Sequence, residues 1–490
     1  MKLLKRLQES KEYWYLLYLS IFFFFLRLPS FFEPLWYGDE GIYQAVGTSM
    51  RAGRLLYVGT WDNKPPMLYI VYAILNGDQF STKLASALVG IGCIIVFYFL
   101  AKALLQVKRN AFLLTLTFVV LFGLPLIEGN IANAENFMML PILVAGYLIV
   151  TKSEKLTDKQ LFSIGLLLSF AFLFKVVAAF DIAAFGLYLL FLQYKKLDKW
   201  KELVRYIIPY ALGVLSLVVL CALFFLFNGA FWDFFNGSFR QMVGYVSYGN
   251  TFIIAQGLLL LKFILLASFI GFLFLKRENF SHPSLFILLW VAFSLFNAFF
   301  AGRPYTHYVL VLLPSFLLFT AIVVMNFSQP QRKTPHHLLW KGVLILLFIL
   351  ILKNFHFYNK TLSYYPNFIS YVTHTKSEEA YQRFFDGNTP RDYQLASFLT
   401  LHLKPSDNLF VWGNNAQLYK LTGKIPPGRY TVEYHMNARK DTILETQEAV
   451  LRAQPKYIVV MPNSSTFPFS LSGYKERYSI EKAIIYESLF

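Results

Sequence analysis

Eleven stretches of mostly apolar residues, separated by short polar segments, fall at about 13–31, 82–101, 111–126, 137–150, 161–174, 176–193, 206–228, 253–275, 284–300, 307–326 and 338–353. A helix that crosses a bilayer needs ~20 such residues, because no water is present in the hydrocarbon to satisfy an exposed backbone. This pattern predicts a polytopic α-helical membrane protein with about eleven spans. Composition agrees: 56% of the 490 residues are hydrophobic and only 15% are charged, against roughly 25% charged in soluble domains. A soluble enzyme of this size and a disordered chain are both excluded on that ground. The first stretch is long and aromatic, with no small-x-small cleavage site after it, so it reads as a span rather than a cleaved signal. Cys93 and Cys221 both lie inside apolar runs, leaving no disulfide framework and no cysteine metal site.

Charge sets the orientation. With the N-terminus in the cytoplasm, the inner loops 1–12, 102–110, 151–160, 194–205, 276–283 and 327–341 hold 20 lysines and arginines, and the outer loops hold 6. That bias matches the positive-inside rule. Much of the net charge of +17 is therefore a topology signal, and no nucleic-acid partner is expected. The same orientation places 354–490 outside. There, Thr389-Pro390-Arg391-Asp392 reads as a helix start with Thr389 as N-cap, and Leu395, Phe398, Leu399 and Leu401 carry the helix to Leu403. Residues 408–412 and 456–460 read as buried strands with a helix over 442–453 between them. The expectation is a transmembrane domain over 1–353 and a small extracytoplasmic α/β domain over 354–490.

The first outer loop, 32–81, is unusually long. Tyr43, Ala45, Val46, Met50 and Leu55 suggest an amphipathic helix on the membrane face. Asp39 and Glu40 precede it, just beyond the first span. Adjacent carboxylates at a low-dielectric boundary suit general-base work; the plainer reading makes Asp39 the cap of that helix. Lys64, held extended by Pro65 and Pro66, reads either as a phosphate ligand or as a snorkelling anchor. Glu135 opens the fourth span, where a carboxylate also suits the helix N-terminus. Lys175 sits at the outer turn of a tight helical hairpin, where a membrane-depth cation points to function unless it simply pairs with Asp181. Arg303 and His307 open the tenth span on the outer side, a guanidinium and an imidazole suited to phosphate, although an isolated histidine is often a structural donor. Together these residues describe an outer-face site that deprotonates a nucleophile and holds a phosphate leaving group.

Three patches resemble the GT-C-type glycosyltransferases that use polyprenyl-phosphate sugars, among them the protein O-mannosyltransferases and the lipid A aminoarabinose transferases. They are Tyr37-Gly38-Asp39-Glu40-Gly41-Ile42-Tyr43; Gly53-Arg54-Leu55-Leu56-Tyr57 through Trp61-Asp62-Asn63-Lys64-Pro65-Pro66; and Gly302-Arg303-Pro304-Tyr305-Thr306-His307-Tyr308 with Leu313-Pro314. Glu135-Asn136 and Phe174-Lys175 stand where the family keeps an acidic group and a lysine, and Val411-Trp412-Gly413-Asn414 is similar to the outer domain of bacterial members. The resemblance implies Asp39 as the general base, with Glu40 its catalytic neighbour, and inversion at the anomeric carbon. Lys64, Lys175 and Arg303 would neutralise the phosphate, while Glu135, His307 and Tyr308 would contact the sugar or shape the site. It implies a polyprenyl-phosphate-sugar donor and an acceptor hydroxyl or phosphate on a glycolipid, glycan or protein, in a multi-pass protein of the cell (inner) membrane surrounded by its lipids. Relatives of the aminoarabinose type hold zinc through a Glu immediately before the Lys-Pro pair and a His. This chain has Asn63 there, which puts a divalent metal in doubt, with Asp62 and His307 left as groups that could contribute. No cofactor is expected. A transporter or flippase of lipid-linked sugars is the alternative class, but its site belongs near the bilayer midplane.

Overall fold

The computed structural model describes residues 11–152, 156–193, 200–241, 249–250, 256–325 and 337–490. Within the described residues, helices lie over all eleven apolar stretches. Among the described residues, seven are long and apolar enough to cross a membrane: Glu12–Phe32, Gln79–Leu105, Ala134–Lys152, Tyr206–Phe227, Gly257–Leu275, His282–Phe300 and His307–Val324. The count of eleven full-length spans is not reached by this measure, for a geometric reason. Lys108–Gly123, Asp158–Phe172 and Ala179–Leu192 have 16, 15 and 14 residues. At 1.5 Å per residue they reach about 21–24 Å, short of ~30 Å of hydrocarbon. His337–Asn354 carries Lys341 and Lys353 near its ends. The span start expected at 253, and all or part of the inner loops 1–12, 151–160, 194–205 and 327–341, lie outside the described residues.

The long helices turn apolar side chains outward: Leu212, Leu215, Leu220 and Phe224 on one, Leu260, Phe263, Ile264 and Leu265 on another. A continuous exposed surface of this kind belongs against lipid. Between helices, contact depends on small residues. Trp200–Phe227 crosses Asp158–Phe172 at Gly165 and Gly213, where an added Cβ would lie 2.2 Å from the carbonyl oxygens of Tyr210 and Phe162 respectively. Only glycine permits so close a crossing, the device that membrane helices use where hydrophobic burial gives no drive.

The long first loop and the C-terminal segment, both expected on the outer side, form a second layer. Gly38–Arg51 and Pro66–Ile74 pack together in the first outer loop. The first of these is covered on more than the one face that its apolar spacing suggests. Ile42 through Gly47 are all buried, Gln44 included, because the C-terminal domain covers the remaining side. Beyond Asn354, helices Thr361–Val372, Glu378–Phe385 and Thr389–His402 lead into β1 (Leu409–Trp412). Short helices Gln417–Thr422 and Glu433–Met436, the helix Lys440–Ala453, β2 (Tyr457–Val460), β3 (Tyr474–Ile480) and β4 (Ala483–Ser488) follow. The sheet runs β1-β2-β4-β3, with β1 parallel to β2 in the register Phe410 opposite Ile458, and β2 antiparallel to β4 with Val459 opposite Ile485. The fully buried β1 is the continuous apolar run legible in the sequence.

This domain grips the first outer loop along its length. Arg54 Nη1 donates to the carbonyl of Pro426 at 2.6 Å, the Trp61 amide donates to the carbonyl of Arg429 at 2.9 Å, and Arg429 Nη1 returns a bond to the carbonyl of Tyr57 at 3.1 Å. Lys420 Nζ reaches the carbonyl of Asn76 at 2.7 Å.

Candidate active site

Asp39 occupies the first turn of Gly38–Arg51, but it does not cap that helix. Tyr37 is the N-cap and no side chain closes it. The Asp39 carboxylate instead accepts from the Tyr43 hydroxyl at 3.0 Å, one turn on, and faces Lys64 Nζ at 3.7 Å. With 39% of its side chain exposed, it is open to an incoming group. Lys64 is placed by its own backbone. The Tyr57 hydroxyl donates to its carbonyl at 2.7 Å, its amide donates to the Tyr69 hydroxyl at 3.3 Å, and Pro66 begins the next helix. Its ammonium lies 4.8 Å above the Tyr43 ring and 3.6 Å from buried Asp62, which also accepts from the Tyr69 hydroxyl at 2.6 Å. Burial pushes the Asp39 carboxyl up, but Lys64, His307, the Tyr43 hydroxyl and Lys175 outweigh it and hold the pKa below the ordinary value of 3.8. Burial alone would lower the Lys64 pKa; Asp62, Asp39 and Glu135 raise it above 10.5. Both groups are therefore ionised at neutral pH.

The opposite wall comes from the span ends. Glu135, buried in the first turn of Ala134–Lys152, forms an ion pair with Lys175. Lys175 has an extended backbone between Asp158–Phe172 and the turn Val176–Ala178, as a hairpin tip requires, and its ammonium lies 5.1 Å over the Tyr308 ring. A buried lysine without a counterion is expensive, so Glu135 keeps the cation in place. Asp181 is not that partner; it accepts from the Trp290 indole at 2.8 Å. His307 opens His307–Met325. Its Nδ1 lies 3.0 Å from Glu128, whose carboxylate also accepts from Tyr37 at 2.6 Å and Thr306 at 2.7 Å, and its Nε2 lies 3.9 Å from Glu135. Burial raises the Glu128 pKa, but His307, Tyr37 and Thr306 bring it below 4.5.

The structure thus gathers Asp39, Lys64, Glu135, Lys175, His307 and Tyr308. Glu40 is not among them. Successive helical residues point about 100° apart, and Glu40, 2% exposed, turns inward to Lys83 Nζ at 3.0 Å and the Ala132 amide at 2.8 Å. Lys83 also pairs with Glu33 at 3.1 Å, and both are fully buried. This internal network fixes the loop helix to Gln79–Leu105 and leaves Glu40 no access to a substrate. Arg303 is half-buried in the loop four residues before His307, and the contacts above do not include it. Arg27 and Lys262, two further cations inside spans, bond inward: Arg27 to the Asn130 carbonyl at 3.3 Å, and Lys262 to the Phe299 carbonyl at 2.6 Å.

Sequence reading missed His435. It comes from Glu433–Met436 in the outer domain, packs edge-on against Trp61 at 4.7 Å, and brings Nε2 to 3.7 Å from Asp62. Burial dominates its titration and, although Asp62 opposes this, pushes its pKa down to about 4. Nothing near residue 435 announces this role, because it depends on how two segments far apart in the chain dock.

A zinc site of the kind implied by the resemblance does not fit these residues. Asn63 stands where the carboxylate is needed, Asp62 is committed to Tyr69 and Lys64, and His307 to Glu128. Among the described residues, no group of three or more histidine, cysteine or carboxylate side chains comes close enough to hold a metal ion.

Residues 63–225 match the family model described as dolichyl-phosphate-mannose-protein mannosyltransferase, a stretch that includes Lys64, Glu135 and Lys175. The whole chain is similar in fold to ArnT from Cupriavidus metallidurans, solved bound to undecaprenyl phosphate. That match has a TM-score of 0.54 and 12% identity, covering 97% of this chain and 98% of that one. No curated protein matches the sequence significantly. Both positive findings agree with the resemblance read from the motifs.

Proposed function

We propose that this multi-pass chain of GT-C fold is a glycosyltransferase that moves a sugar from a polyprenyl-phosphate donor to an acceptor on the outer face of the membrane. The observation that carries this reading is the Asp39 carboxylate, ionised and exposed, held 3.7 Å from Lys64. Lys175 and His307 stand near enough to depress its pKa. Asp39 takes the proton of the acceptor hydroxyl, and the freed oxygen pair attacks the anomeric carbon. The bond from that carbon to the phosphate oxygen breaks, and polyprenyl phosphate departs with the electron pair. Attack opposite the leaving group inverts the configuration. Lys64 and Lys175 offset the growing negative charge in a partly dry cavity, where fixed charges act strongly. Arg303 is assigned the same task from its motif. Glu135 holds Lys175, Glu128 orients His307, and Tyr308 supports the Lys175 ammonium. A midplane transport site is not favoured, since these groups stand at helix ends and in the outer loop.

The test uses purified protein in liposomes with undecaprenyl-phosphate-linked sugars and a panel of glycolipid, glycan and peptide acceptors. Product is followed by mass spectrometry and its anomeric configuration by NMR. Inverted product is expected from the wild type, with turnover about 10²–10⁴-fold lower for Asp39→Asn at equal expression. Turnover of Asp39→Asn within a few-fold of wild type removes Asp39 as the base.

A further inference from the structure

A second polar cavity lies in the outer domain, at the carboxyl ends of β1 and β2, the region where ligands settle in α/β sheets. Its volume is about 200 Å³ and its walls include Asn388, Arg391, Asn414, Asn415, Met461 and Asn463. At ~30 Å³ per water this is room for about seven waters, the scale of one sugar ring; drug-sized ligands need about 300 Å³ or more.

The charge in this crevice is already neutralised. Arg391 Nε and Nη2 both donate to Asp392 Oδ1, at 3.1 and 2.9 Å, and Nη1 donates to Asn388 Oδ1 at 3.3 Å. An anion would find no free cation. The amides, by contrast, are half used. Asn388 Oδ1 accepts from Arg391, Asn414 Oδ1 accepts from the Tyr434 amide at 3.2 Å, and Asn415 Nδ2 donates to Asp392 Oδ2 at 2.7 Å. Each bond fixes an amide plane and leaves its other end, Nδ2 of Asn388 and Asn414 and Oδ1 of Asn415, for a ligand. Neutral donors and acceptors around an apolar floor of Met461 suit adjacent hydroxyls on a pyranose with its C–H face below. Asn463 is held at φ +107 beside them, a strained conformation for a residue other than glycine and one that concentrates at binding sites.

The crevice is linked to the helix that carries the proposed base through Asp392, Gln417 and Gly41. Gln417 donates to the same Asp392 carboxylate at 2.7 Å, and its backbone nitrogen would lie only 2.9 Å from a Cβ on Gly41, two residues beyond Asp39. We infer that this crevice is a binding site for one neutral pyranose unit, which positions the saccharide of an acceptor beside the catalytic cavity. The binding itself is independent of the transfer reaction; the assignment to the acceptor rests on it.

The full chain in a sugar-free detergent is probed by saturation-transfer NMR with methyl α-D-mannopyranoside, methyl β-D-galactopyranoside and methyl N-acetyl-β-D-glucosaminide. Wild type and Asp39→Asn should both transfer saturation to at least one glycoside. Asn463→Gly, which removes the amide and relieves the strain, and Asn414→Ala should each weaken that binding about fivefold or more, with the melting temperature of Asn463→Gly no lower than that of the wild type. Adding the undecaprenyl-phosphate-linked form of the bound sugar should not displace it; displacement that disappears in Asn463→Gly overturns the acceptor assignment. Silence from the wild type with every probe, equal binding by both crevice variants, or loss of binding in Asp39→Asn overturns the site. None of these results depends on turnover.

Discussion

Asp39 and Glu40 are neighbours in sequence and strangers in space. One looks into the cavity and the other into a buried ion pair, so exchanging each for its amide separates chemistry from folding. Asp39→Asn is expected to keep the fold and to lose turnover. Glu40→Gln leaves Lys83 with Glu33 as its sole carboxylate and should destabilise the chain by about 3 kcal/mol. It should be read as a lower melting temperature in detergent, with near-normal turnover per folded molecule. Lys175→Met should lower kcat about 10²–10³-fold, the cost of losing one preorganised charge at a developing anion; a change confined to KM would make the lysine a ground-state binder only. The cluster was legible at this scale because ionisable residues beside apolar runs are few, so Asp39, Lys64, Glu135, Lys175 and His307 stand out. The direction of Glu40 was not legible, since it depends on helix phase and on a lysine in the second span. The hold of Glu128 on His307 was not legible either, since it joins residues 179 positions apart.

Elements tell a similar story. The spans are readable because bilayer thickness sets their length; the helices of 14 to 16 residues are too short for that rule to describe them. The strands β1 and β2 are apolar runs and could be read, whereas β3 exposes Lys475, Glu476, Arg477 and Tyr478 and gives no such signal. The helix Gly38–Arg51 misled in one respect: its apolar side was visible, but its second buried side is made by a domain more than three hundred residues away. Gly41 marks that contact. Gly41→Ala places a methyl 2.9 Å from the Gln417 amide nitrogen and 3.1 Å from its side-chain oxygen. Overpacking of this kind costs about 1–3 kcal/mol. The expected result is a lower melting temperature together with reduced kcat, because Asp39 rides on the displaced helix.

Across the whole molecule, orientation is the first thing to test. A reporter enzyme fused after Phe355 should be active only on the extracytoplasmic side; activity in the cytoplasm would reverse the face assigned to the cavity. The docking of the outer domain also carries a pH signature. His435 has a pKa near 4 when folded, against 6.5 when unfolded, so between those values the unfolded chain binds more protons. Stability from this group is complete above pH 6.5 and is lost as pH falls towards 4, by on the order of 3 kcal/mol. Calorimetry should show that loss in the wild type and not in His435→Gln; an equal slope in both would place the acid sensitivity elsewhere.

The grip of the outer domain on the first outer loop bears on how the protein is born. Arg54 and its carbonyl partner at Pro426 are 372 residues apart. Contacts of such separation wait for the later segment to exist. A chain still on the ribosome can already have threaded Asp39, Lys64 and Lys175 through the membrane, yet it lacks the wall that buries Asp62 and steadies Lys64. The cavity is therefore complete only after the segment around residue 435 has been made and has docked. Premature stops or proteolytic clipping in that stretch are expected to leave membrane-embedded chains whose Asp62 and Lys64 lack the covering that His435 provides.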